Sequence, residues 1–93
     1  FREATLKTIK QHSDQIYDLN GTALNALFQR QADAARVLLT GFREVEQNRQ
    51  NLSASIIKEE PKATVPILLR VLDNLEGISH AGSDIASILA WLP

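Results

Sequence analysis

Apolar residues recur through residues 22–59 with alternating steps of four and three. The positions read Leu24, Phe28, Gln31, Ala35, Leu38, Phe42, Val45, Arg49, Leu52 and Ile56, and eight of the ten are apolar. This is the a/d pattern of a helix laid along a partner helix. It predicts one long coiled-coil-like helix over 22–59, roughly 57 Å in length at about 1.5 Å per residue. In its first half the stripe widens to take in Ala23, Leu27, Ala34 and Leu39, which suits a multi-helix core. In its second half, residues 44–55, only a narrow seam remains. Gln31 and Arg49 interrupt the seam. The simpler reading takes both to solvent on their long side chains; the alternative makes them polar devices that fix register.

Residues 1–19 also predict a helix. Leu6, Ile9, Ser13, Ile16 and Asn20 keep three–four spacing, and Glu3 and Lys7 form a favourable i,i+4 pair. Asn20-Gly21-Thr22 then offers two outcomes. Gly21 suits the residue just past a helix end and Thr22 an N-cap, which would give a tight turn. Otherwise the helix runs straight through with a local stutter.

Residues 65–92 differ in character. Val65, Ile67, Leu68, Leu69, Val71, Leu72 and Leu75 crowd a helix over 65–76, with Pro66 tolerated in its first turn. Gly77 reads as its end and residues 78–82 as a linker. Ser83 reads as the N-cap of a last helix over 83–92, which carries Ile85, Ile88, Leu89, Trp91 and Leu92. Only Arg70, Asp73, Glu76 and Asp84 are charged in this stretch. A helix apolar nearly all round is buried on several sides, and one neighbouring helix cannot cover it. A second copy of the chain, or another helical protein, is the expected cover.

Composition narrows the classes. Ninety-three residues make one domain with a modest core. Cysteine is absent, so neither a disulfide nor a thiolate metal site can reinforce it; that absence is compatible with a cytoplasmic chain and selects no compartment. Methionine is absent too and the chain starts at Phe1, which reads as a processed product or a piece of a longer protein. Residues 1–61 carry eight basic and eight acidic side chains, and residues 62–93 two and three. Nucleic-acid binding needs a basic footprint, and none is present. No apolar run reaches the roughly 18 residues of a membrane span.

Catalytic chemistry finds little support. His12 and His80 stand apart, with no cluster of ligating residues around either at metal-site spacing. Glycine-rich phosphate loops do not occur. Glu44/Glu46 and Glu59/Glu60 read as solvated charge. Trp91 reads as core, with a partner hot spot as the alternative.

The resulting expectation is an all-α helical hairpin or bundle around a long heptad-patterned helix, oligomeric, without enzyme activity, cofactor or metal. Its function would be protein–protein interaction or oligomerisation. The 65–92 segment would fold back onto the C-terminal half of 22–59. The residues expected to carry the core or interface are Leu24, Phe28, Leu38, Phe42, Leu52 and Ile56 on the seam, and Leu68, Leu72, Ile85, Leu89 and Trp91 facing them or the partner. A lipid-surface binder that opens its 65–92 region is a second expectation, weakened by the scarcity of Lys and Arg there. A helical signalling segment is a third.

Overall fold

The computed structural model describes residues 2–92; Phe1, where the first predicted helix begins, and Pro93 lie outside the described residues. Three helices account for most of the chain: α1 (Glu3–Phe28), α2 (Ala35–Glu59) and α3 (Val65–Ala90), with a short 3-10 turn at Ala32–Ala34 before α2. No strand occurs among the described residues. The start of α1 meets the end of α2, where Arg2 and Thr5 contact Glu59 and Glu60. Asn20 of α1 bonds to Ile78 of α3. The helices therefore run up, down and up, with α1 and α3 parallel.

The core divides into two clusters along the bundle axis. Ile9, Ile16, Val45, Leu52, Ile56, Leu68, Leu72 and Leu75 fill one. Ala23, Ala26, Ala35, Leu38, Phe42, Ala86 and Leu89 fill the other. The second cluster is rich in alanine, and Leu38, Phe42 and Leu89 supply its bulk.

At Asn20-Gly21-Thr22 the straight-through outcome holds, and two other sequence expectations about helix ends are corrected. Gly21 does not end α1. Ile16 and Ala23, on either side of it, are fully buried, and that burial outweighs the roughly 1 kcal/mol that glycine costs within a helix. Thr22 is no N-cap; its hydroxyl donates to the Asp18 carbonyl one turn back.

The long 22–59 helix instead breaks at Gln29–Ala34. The Arg30 amide donates to the Leu27 carbonyl and the Gln31 amide to the Ala26 carbonyl. These are the two bonds of a Schellman C-cap. Arg30 takes the left-handed conformation, with φ 54°, a place that glycine normally occupies. Leu24 and Phe28 thus belong to a different helix from the rest of the predicted seam.

α3 is continuous through Gly77, the expected linker 78–82 and Ser83. Gly77 has open space where a Cβ would stand, so a side chain there is neither required nor excluded. Gly82 is buried at a close approach. A Cβ there would overlap the Asn20 side-chain oxygen and lie 2.6 Å from Phe42 Cζ. α3 consequently packs against both α1 and α2 along its length, rather than against half of one helix.

Candidate functional site

Each pair of helices is marked at the surface by a polar contact, and the three junctions differ chemically. At the α1/α3 junction, Asn20 Nδ2 donates to the Ile78 carbonyl at 2.9 Å. Outside that bond both helices present apolar residues to solvent. At about 100° per residue, Leu6, Tyr17, Leu24 and Phe28 fall within a narrow arc of α1, and all four are exposed. On α3 the positions Ile67, Val71, Asn74, Ile78, Ala81, Ile85 and Ile88 follow strict four–three spacing, and Asn74 alone is polar. Ile67, Val71, Ala81 and Ile88 are exposed, while Ile78 and Ile85 are half-buried against the core. The result is a second apolar stripe on α3, distinct from the row that faces the core. Lys10 is the one charged residue on the α1 arc, and Arg70 borders the α3 stripe.

The α2/α3 junction is ionic. Arg49 pairs with Glu46 at 2.7 Å and, through Nε, with Glu76 of α3. His80 Nε2 lies 3.7 Å from Glu76. The Arg49 hydrogen bond holds the Glu46 carboxyl below the ordinary carboxylate range, and Glu46 in turn raises the Arg49 guanidinium. Arg49 is therefore a half-buried ionic bridge, not a side chain reaching free solvent. Glu46 is its partner, not free surface charge.

Ligating atoms of Glu46, Glu76 and His80 lie within 4.8 Å of one another, so the fold gathers a histidine and two carboxylates that the sequence expectation kept apart. The i,i+4 spacing of Glu76 and His80 was the available signal; Glu46 comes from another helix and gave none. Arg49 already neutralises both carboxylates, and a cation would have to displace it.

The α1/α2 junction is polar and uncharged over most of its length. Asn48 Nδ2 donates to Gln15 Oε1 at 3.2 Å. At the far end Arg2 pairs with Glu59 at 2.7 Å. Glu60 accepts from the Thr5 hydroxyl and from the Arg2 backbone amide, and is buried, not solvated. A carboxylate at the start of α1 also suits the helix dipole. The Thr5 hydroxyl, followed by the Arg2 amide, holds the Glu60 carboxyl below its ordinary value. Between these ends His12 is 5% exposed, and neither ring nitrogen has a hydrogen-bond partner.

The residues singled out from the sequence are placed as follows. Leu38, Phe42, Leu52 and Ile56 of α2 and Leu68, Leu72 and Leu89 of α3 are buried in the two clusters, and Ile85 packs at their edge. Leu24 and Phe28 stand on the outer face of α1, with Phe28 78% exposed. Trp91 is not core: it follows the last turn of α3 and is 87% exposed. Tyr17 was not singled out, nor was the outer row of α3 apart from Ile85, although the four–three spacing from Ile67 to Ile88 was there to be read.

No protein family, curated protein or solved structure matches the chain. The fold and surface define an all-helical three-helix bundle with one apolar, one ionic and one polar junction.

Proposed function

We propose that this chain is a helical protein–protein interaction module that self-associates through its α1/α3 face, without catalytic activity. The carrying observation is the outer stripe of α3. An a/d-like row of mostly β-branched residues, interrupted once by Asn74, is the sequence form of a helix that pairs with another helix, and inside the bundle this row has no full partner. Tyr17, Leu24 and Phe28 of α1 extend the same surface.

Size and charge favour a second copy as the occupant. The bundle is 50 Å long and 17 Å across, so a second copy laid along the face has room for the roughly 800 Å2 per partner of a stable interface. The net charge of −1 opposes self-association little. The basic residues at the face are two, Lys10, which pairs with Asp14, and Arg70, fewer than the Lys/Arg-rich border that draws an amphipathic helix to an anionic lipid surface, and no helix among the described residues is long and apolar enough to cross a membrane. Burial of apolar area, at about 25 cal/mol per Å2 before entropic costs, supplies the driving force.

The test is a pair of charge substitutions on the face, Val71→Glu and Ile88→Glu, beside Ile57→Glu on the outer side of α2. All three positions are exposed, so the monomer fold survives in each. Analytical ultracentrifugation should show association weakened by the first two and unchanged by the third. Equal behaviour of all three would remove the α1/α3 face as the contact.

A further inference from the structure

We propose that the α1/α2 groove is a binding site for an uncharged, polyhydroxylated small molecule of about sugar size. The groove has a volume of about 500 Å3, within the range of small-molecule sites. The Asn48–Gln15 bond and the Arg2–Glu59 pair cross between the helices among its lining residues. Its walls include Thr8, Gln11, Asn51 and Ser55, over a floor of Leu52 and His12.

His12 carries the inference. It is more than nine-tenths buried, lines the groove, and leaves both ring nitrogens without a partner. A buried polar group without a hydrogen bond costs stability and calls for an explanation in what the site does. Burial, with Arg49 nearby, favours the neutral ring. A neutral imidazole offers one donor and one acceptor, and a hydroxyl group can satisfy either.

The walls select in the same direction. Hydroxyl and amide groups donate and accept without charge. The formal charges at the groove, Arg2 and Glu59, are committed to each other. A charged ligand entering beside His12 would lose hydration with no free counter-charge to replace it. Neither ring nitrogen has solvent access, so binding requires a side-chain displacement at the groove wall. This site lies on a different junction from the self-association face, and either can fail without the other.

The experiment is an NMR titration of the isotope-labelled protein with D-glucose and trehalose as uncharged probes and acetate as the charged one. The expected result is saturable shifts of the His12 ring and of the Gln11 and Asn51 side-chain amides. The Kd should be about 1 mM or tighter for at least one uncharged probe and absent with acetate. His12→Leu should abolish the shifts, and so should Asn51→Leu, an exposed change that keeps the fold. Shifts linear in probe concentration, shifts retained in both variants, or a response to acetate alone would each overturn the proposal.

Discussion

Glu60, the residue that follows α2, accepts a hydrogen bond from Thr5 in the first turn of α1, joining positions 55 residues apart. The same carboxylate takes the Arg2 amide, one of the donors that a helix start leaves without an intrahelical partner. One side chain thus caps the first helix and anchors the end of the second. Glu60→Ala should lower Tm, with the largest loss of amide protection in the first turn of α1 by hydrogen exchange. Because the folded Glu60 titrates below its ordinary 4.5, its contribution is full above that pH. It is lost as pH falls through the lower folded value. Equal acid sensitivity in the wild type and Glu60→Ala would show that the carboxylate does not bear this load.

His12 works in the same direction but at higher pH. Burial is the main cause of its lowered pKa, the Arg49 charge adds to it, and Glu46 opposes both. Between the folded value and the ordinary 6.5 the unfolded chain binds more protons. Stability is therefore full above about pH 6.5 and declines as pH falls below it. His12→Leu should remove that dependence and raise stability by about 1–3 kcal/mol, because an unpartnered buried polar group is replaced by an apolar one. Urea melts at several pH values measure both effects, and a destabilised His12→Leu would show that the imidazole makes a contact worth keeping.

Arg30→Gly should stabilise the chain by about 1 kcal/mol, since glycine adopts the left-handed conformation at little steric cost. The corresponding Arg30→Ala should gain nothing. A chemical-denaturation series on the two variants checks this, and equal stabilities would contradict the Schellman end of α1.

Gly77 and Gly82 give a contrast within one helix. Gly77→Ala adds a methyl into open space and should stabilise α3 by about 0.5–1 kcal/mol. Gly82→Ala drives a methyl into Asn20 and Phe42 and should cost about 1–3 kcal/mol by overpacking. If residues 78–82 were a linker, both changes would be near neutral.

These positions also mark the boundary of what spacing could reveal. The apolar face of α2 was legible: Ala35, Leu38, Phe42, Val45, Leu52 and Ile56 recur at helical spacing and are all buried. The end of α1 was not, because Arg30 occupies the position where glycine would have announced a stop. Gly21, Gly77 and Gly82 look like punctuation, yet tertiary burial carries the helices through all three. At Gly82 the missing side chain serves a close helix contact that depends on Asn20 and Phe42, far away in sequence. The surplus of apolar residues in 65–92 was visible. Its division into a core row and an outer row appeared only once α1 and α2 had fixed which side of α3 is covered. The pairing of Glu60 with Thr5, and of Arg49 with Glu76, depends on the up–down–up path and has no local signal.

Self-association through the α1/α3 face is tested most directly by absolute mass in solution, using light scattering on a sizing column over a concentration series. An uncovered apolar row along α1 and α3 predicts a mass that settles at twice the 10.3 kDa of one chain. A mass that stays at 10.3 kDa at every concentration would contradict it.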